Sequence, residues 1–249
     1  MSLERHQQDW NDLAELDPLW AILSAPDKRH GRWDLETFFE SGRIQIDRTI
    51  AHGAQLGYPR DHDSALDFGC GVGRLTRALA DKFGASVGVD VAPEMIEQAR
   101  RLNADRPTCS FVLNTASDLR FASDRSFDLV YSDIVLQHCP SEAIIESYVR
   151  EFVRVLRPGG LLVFQLPSYG SPRRRIQWRR RLYSALRSMG ASSRFLYNRL
   201  GLFPIRMNGV AEDRVLSWLA DESASVLEVE RSVWNQGGWH DRRYWVTRG

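Results

Sequence analysis

The run Leu66-Asp67-Phe68-Gly69-Cys70-Gly71-Val72-Gly73-Arg74, followed by Val87-Gly88-Val89-Asp90, constrains the fold more than any other part of the chain. Ser64 to Phe68 is a short, largely apolar run of the kind a buried parallel strand presents. Arg74 to Phe83 then repeats apolar residues at helical spacing, in Leu75, Ala78, Leu79 and Phe83. The glycines between them permit a sharp turn and leave main-chain N–H groups open to a ligand that any Cβ would obstruct. The pattern predicts strand, turn, helix and a second strand ending in the Asp90 carboxylate. A doubly wound sheet places the acid that holds a ribose at that tip. A ligand containing a nucleoside is therefore expected.

Glycine spacing selects among such ligands. A dinucleotide fingerprint, G-x-G-x-x-G, seats a pyrophosphate on a helix N-terminus. Here the third glycine would fall at Arg74 counted from Gly69, or at Thr76 counted from Gly71. The run is instead Asp67-x-Gly69-x-Gly71-x-Gly73, which resembles motif I of class I S-adenosylmethionine-dependent methyltransferases of the small-molecule type. The acid ahead of the glycines suits a ligand with a positively charged amino-acid end and no phosphate.

Further segments carry the resemblance in order: Val89 to Ile96, Ala116-Ser117-Asp118-Leu119, Ser126 to Ser132 leading into Val135 to Pro140, and Val155 to Gly160 ahead of Leu161 to Phe164. It covers roughly residues 60–167 well and the two ends poorly. It implies an α/β, Rossmann-like, doubly wound seven-stranded sheet with one antiparallel edge strand, and S-adenosyl-L-methionine as cofactor, released as S-adenosyl-L-homocysteine. It places Asp67, Gly69, Cys70, Gly71 and Gly73 at the cofactor turn and Asp90 on the ribose hydroxyls. Val91 and Met95 flank the adenine. Ser117, Asp118 and Leu119 read its edge through the Asp side chain and the next backbone N–H. Ser132, ending the fourth strand, joins the cofactor-binding set.

Composition agrees with a soluble enzyme. At 249 residues with 43% hydrophobic content the chain can bury a sizeable core. No apolar run is long enough to span a bilayer, and the charged N-terminus lacks a signal peptide's apolar stretch. Cys70, Cys109 and Cys139 have neither disulfide-framework nor zinc spacing, so reduced packing thiols and a cytoplasmic location are expected.

Four regions are expected. Residues 1–60 form an N-terminal helical cap ending in a helix from Asp34 to about Leu56; residues 61–167 form the cofactor-binding core. Residues 168–209 form a basic helical insertion, and residues 210–249 complete the sheet with a helix and two strands. The insertion is the peculiarity. Ser168 to Asn208 holds ten arginines and no Asp or Glu, and the remainder has 23 basic against 32 acidic residues. Arg173-Arg174-Arg175 and Arg179-Arg180-Arg181, interleaved with Trp178, suggest basic amphipathic helices. They either cover a solvated face and pair with acids, or cap the site and select an anionic substrate, or contact a membrane surface or nucleic acid. Position after the fifth strand favours the cap among the functional readings.

Methyl transfer from a sulfonium is a direct displacement, so the protein chiefly aligns the reacting atoms and excludes water. A base helps when the acceptor is a hydroxyl. His138, just past the fourth strand, is the candidate, against a structural reading as a hydrogen-bonded residue near a helix start. Quinone O-methyltransferases carry E-x-x-E-H here; with Ile134 and Gln137 in the acid positions, no metal is expected. Trp33, Phe38, Phe39, Tyr131, Asp133, Trp239 and His240 are candidate walls for a ring-bearing or anionic small-molecule acceptor, each also readable as packing or capping. Arg43 could face the cofactor carboxylate or simply stand exposed. O-methylation of a small molecule leads. N-methylation, an RNA or protein methyltransferase using the arginines, and a non-catalytic cofactor-binding module are the alternatives. No Asn/Asp-Pro-Pro-Tyr/Phe motif follows the fourth strand, so nucleic acid is not the expected partner.

Overall fold

The computed structural model describes residues 2–170, 176–234 and 238–249. Its centre is the sheet. Strands β1 (Ser64–Phe68), β2 (Ala85–Asp90), β3 (Cys109–Leu113), β4 (Phe127–Ser132) and β5 (Leu156–Gln165) run parallel in the order β3-β2-β1-β4-β5. Strand β8 (Trp239–Arg248) pairs antiparallel with β5, and β7 (Ala224–Trp234) pairs antiparallel with β8 at the edge. A two-residue strand, β6 (Tyr169–Gly170), continues along β8 where β5 leaves it.

Alternation along the central strands divides the core between two faces. Leu66, Val130 and Leu162 face helices α6 (Glu142–Val155) and α9 (Glu212–Asp221), meeting Val149, Phe152, Val215 and Leu219. Their neighbours Ala65, Leu129 and Leu161 face the other way, onto α3 (Leu35–Gln55) and α4 (Arg74–Ala80), through Ile46, Leu75 and Leu79. Helix α3 starts where Asp34 accepts the Thr37 N–H at 2.8 Å, an N-cap that satisfies one of the first-turn donors. It crosses close to α4 because Gly42 has no side chain there; a Cβ would meet the Arg74 carbonyl at 2.6 Å.

The remaining helices are α1 (Leu3–Leu16), α2 (Pro18–Ile22), α5 (Pro93–Leu102), and, in the insertion, α7 (Trp178–Ser188) and α8 (Ser193–Leu200). The N-terminal segment and the insertion pack on each other: Leu13, Ala14 and Trp20 share one apolar cluster with Tyr197, Phe203 and Ile205. Polar contacts tie the seam. Asp12 accepts from Arg187 at 3.2 Å and from the Ser193 hydroxyl at 2.7 Å, and Asp17 accepts from the Tyr197 hydroxyl at 2.7 Å. The insertion's contacts are therefore with α1 and α2 as well as with the sheet end.

Several boundaries differ from the periodicity. Helix α4 stops at Ala80, although Phe83 beyond it remains buried. Strand β5 starts at Leu156, absorbing the expected Gly159-Gly160 turn, because a register shift between Phe127 and Leu129 lets the pairing begin early. Strands β7 and β8 run for 11 and 10 residues, since each supplies the other's partner almost to the hairpin tip. Arg173-Arg174-Arg175 and Asn235-Gln236-Gly237 lie outside the described residues. None of the helices among the described residues is long and apolar enough to cross a membrane.

Candidate active site

A cavity of about 500 Å³ lies across the carboxyl ends of β1, β2 and β4. Its floor includes Gly69, Gly71, Asp90, Val91, Met95 and Asn114, and one wall is the loop from Asp133 to Pro140. The roof comes from both sides of the seam: Leu3, His6, Trp10 and Ala21 to Ser24 from the N-terminal segment, and Phe203, Ile205 and Met207 from the insertion.

The turn is shaped to admit a ligand. Gly69 and Gly71 take φ of +79° and +53°, a backbone region that β-carbons disfavour. A Cβ on Gly69 would strike the Val135 side chain, and one on Gly71 would strike Ile22. Asp90 accepts the Gly71 N–H and the Ala92 N–H at 2.9 Å each, one on each carboxylate oxygen. Burial raises its pKa, and these backbone donors oppose the rise. Each oxygen keeps a free lone pair, so the fixed carboxylate can accept two hydroxyls of a ribose, between the apolar Val91 and Met95.

His138 lies on the opposite wall, 8% exposed, its ring 5.4 Å from that of Trp10. Its Nδ1 meets the carbonyl oxygen of Arg206 at 2.5 Å. A carbonyl only accepts, so Nδ1 carries the proton and the lone pair sits on Nε2. Burial lowers the imidazole pKa to about 4, which keeps the ring neutral at physiological pH. His6, also on the cavity wall, is held at about 4 by burial and then by the nearby His138 and Arg206 charges.

Asp133 stands between this cavity and a second, polar one of about 660 Å³, and lines both. Arg243 donates to its Oδ1 and Gln45 to its Oδ2, at 2.7 Å each. Gln45 also donates to the Tyr131 hydroxyl at 2.9 Å, and its carbonyl accepts from Arg74 at 2.8 Å.

Of the residues expected at the site, the structure brings Gly69, Gly71, Asp90, Val91, Met95, Asp133 and His138 to the cavity. The others are elsewhere, each for a visible reason. Asp67 is buried behind the turn, accepting from Thr76 Oγ1 at 2.6 Å, and burial raises its pKa to about 6. The Cys70 side chain packs with Ile96, Ala99 and Phe111, and Gly73 is the left-handed residue that starts α4, crowded by Asn103 and Phe111. The adenine-edge assignment needs correction. Asp118 is turned outward to Arg120, the Leu119 N–H is already bonded to Glu151 at 2.7 Å, and the Ser117 carbonyl accepts from Ser147. Asn114, whose side chain is bonded to the Ala116 and Asp118 backbone, lines the cavity where these residues do not. Ser132 is buried within β4.

Among the expected acceptor walls, Phe38 is fully buried under Trp33, whose indole N–H bonds to the Leu23 carbonyl, and Phe39 faces Arg77. Tyr131 is sealed beneath Gln45. Trp239 and His240 belong to β8 and pair with Gly170 and Tyr169. Arg43 is exposed between Glu40 and Asp47. His6, Trp10, Tyr148, Phe203, Ile205 and Met207 line the cavity without a signal in the motif pattern. His6 and Trp10 share one face of α1 at i, i+4 spacing, the one cue that could have found them. Cys70, Cys109 and Cys139 are free thiols.

The methyltransferase domain family matches residues 66–164. Over 126 residues the chain is 37% identical to 2-methyl-6-phytyl-1,4-hydroquinone methyltransferase from Synechocystis sp., covering 50% of this chain and 38% of that one. It is 30% identical to malonyl-[acyl-carrier protein] O-methyltransferase from Enterobacter lignolyticus, covering 70% and 64%. The chain thus spans only part of the length of these relatives. In fold it resembles the N-methyltransferase NodS from Bradyrhizobium japonicum in complex with S-adenosyl-L-homocysteine, with a TM-score of 0.61, 18% identity and 98% of both chains covered. The core match and the likeness of fold over nearly the whole chain agree with the geometry of the glycine turn and Asp90, and residues 66–164 form a methyltransferase domain of the S-adenosylmethionine-dependent kind.

Proposed function

We propose that the protein methylates an oxygen of a small molecule, with His138 receiving or orienting the acceptor's proton. The observation that carries this reading is the state of His138: neutral, tautomer fixed by the Arg206 carbonyl, and placed on the cavity wall across from Asp90. When bound, S-adenosylmethionine supplies a methyl group on a positively charged sulfur. The turn fits that cofactor, because Gly69 and Gly71 leave open space that a Cβ would fill and Asp90 presents two free lone pairs. The relative named for malonyl-[acyl-carrier protein] O-methylation supports oxygen as the acceptor atom.

The chain's own residues do three things. Asp90 and the glycine turn orient the cofactor's ribose and amino-acid portion. Trp10, Phe203, Ile205 and Met207 exclude water, which protects the sulfonium from hydrolysis and strengthens polar contacts inside. Nε2 of His138 accepts a hydrogen bond from the acceptor hydroxyl and fixes its lone pair toward the methyl carbon. With its pKa near 4 the imidazole is a weak base, so its contribution is larger in orientation than in full proton abstraction. The free thiols fit a cytoplasmic setting, and the apolar roof fits a small, ring-bearing acceptor better than a nucleic acid. Replacing His138 with Ala tests the reading. Turnover should fall about 10²-fold while S-adenosylhomocysteine affinity changes little; wild-type turnover in the variant would make His138 structural.

A further inference from the structure

The insertion's described arginines line neither the cofactor cavity nor the polar cavity beyond Asp133; Arg187 is held by Asp12, and Arg179 by the Gly201 carbonyl. The polar cavity, between α3 and the β7–β8 edge, has its own: Arg48, Arg74 and Arg243. Their charges are unequally answered. Arg243 is paired with Asp133 at 2.7 Å, and Glu230 accepts from the Trp245 indole at 2.9 Å. Arg74 is 4% exposed; its guanidinium hydrogen-bonds only neutral groups, Ser41 Oγ at 3.3 Å and Gln45 at 2.8 Å, its Nε has no partner, and the Asp133 and Asp67 charges act on it without a direct ion pair, while burial lowers its pKa. Arg48, one turn beyond Gln45, has no acidic partner among the described residues. A buried guanidinium with no carboxylate in direct contact is costly to keep, and a ligand anion placed against it offsets that cost.

We propose that this cavity is the anion subsite of the methyl acceptor: a carboxylate on the acceptor lies between Arg48 and Arg74, while its methylated atom reaches past Asp133 into the His138 chamber. The inference rests on the methyltransferase reading and adds the acceptor's chemical class to it. Leu23 and Asp133 line both cavities, so the two adjoin there. No Arg or Lys is among the described residues lining the cofactor cavity, whereas three arginines line the polar one. Gln45 and Asp133 are positioning residues: Gln45 holds Arg74, and Asp133 pairs directly with Arg243 while its charge also acts on Arg74, leaving the guanidinium groups of Arg48 and Arg74 without a direct ion pair. At about 660 Å³ the cavity exceeds what a single carboxylate fills, which favours an acceptor's charged end over the α-carboxylate of the cofactor.

Calorimetry on protein loaded with S-adenosylhomocysteine, using probe pairs that differ only in charge, tests this: 4-hydroxybenzoate against 4-hydroxybenzamide, and glutarate against glutaramide. The acids should bind and the amides should not. Arg48→Gln, on an exposed helix face, should weaken the acids about tenfold, with Arg74→Gln at least as severe, as expected for loss of charge-assisted bonds. Both variants should bind S-adenosylhomocysteine within about twofold of wild type. Three results overturn the proposal: amides binding as well as acids, a wild type that takes the cofactor product but neither acid, or an arginine variant that loses S-adenosylhomocysteine tenfold, which would give the subsite to the cofactor's carboxylate. Arg48→Gln keeps the test decisive if Arg74→Gln does not fold. A wild type that fails to bind S-adenosylhomocysteine defeats the parent reading and the inference together.

Discussion

Asp90 accepts one main-chain N–H on each carboxylate oxygen, so its plane is set before any ligand arrives. Replacing it with Ala removes two charge-assisted acceptors for the ribose. S-adenosylhomocysteine should then bind more weakly by about 1.5–3 kcal/mol for each bond lost, measured by calorimetry; equal affinity would withdraw the ribose assignment. His138 makes a different prediction. Its folded pKa is depressed from 6.5 to about 4, so the stability it contributes is present above about 6.5 and is lost as pH falls toward 4. Between pH 7 and pH 5 the wild type should lose about 2 kcal/mol more stability than a His138→Gln variant, read by urea denaturation at the two pH values. His6 adds in the same direction, while Asp9 and Asp67, both raised to about 6, act in the opposite one. That is why the variant comparison, and not the wild-type profile alone, isolates His138.

Turns and helices show how far the residues reach. Gly69→Ala combines a φ of +79° with a Cβ driven into Val135, whose branched side chain has little freedom to yield. The variant should lose at least about 1 kcal/mol of stability and most of its cofactor affinity, seen together in thermal unfolding with and without S-adenosylhomocysteine. Elements of this kind were legible in the sequence because their signals are local. The β1 turn, the Asp90 tip and the start of α3 at Asp34 can each be read from a few adjacent residues. Phe38 and Phe39 were not, because helical spacing says that one face of α3 is buried but not whether sheet or cavity buries it. Nor were the ends of β7 and β8, which depend on each partner's register. Asp118 failed for a third reason: a family habit was carried onto an acid that Arg120, two residues on, holds at the surface.

At the scale of the molecule, the chain's charge asymmetry resolves into a seam between the N-terminal helices and the insertion. Arg187 and Ser193 meet Asp12, Tyr197 meets Asp17, and the Arg29 guanidinium lies over the Tyr197 ring at 4.1 Å. Composition announced ten arginines facing an acidic remainder; it could not say that Asp12 of α1 would answer Arg187, since the two are 175 residues apart in sequence. Asp12→Ala leaves Arg187 without its carboxylate and should speed proteolysis within the insertion several-fold. A limited-proteolysis time course with and without S-adenosylhomocysteine checks it, and an unchanged rate would make the seam incidental.

The roof over the cofactor cavity rests on α1, and α1 is joined to α5, α2 and the insertion instead of being built into the sheet. Its backbone hydrogen bonds can therefore open without unfolding the sheet beneath. A ligand lodged under Leu3, His6 and Trp10 binds the closed form alone, so every increment of its binding free energy is added to the opening cost of that helix. The amide hydrogens of residues 6–16 thus become a built-in gauge: their exchange with deuterium slows in proportion to cofactor occupancy, while those of β1 and β4 are governed by global unfolding.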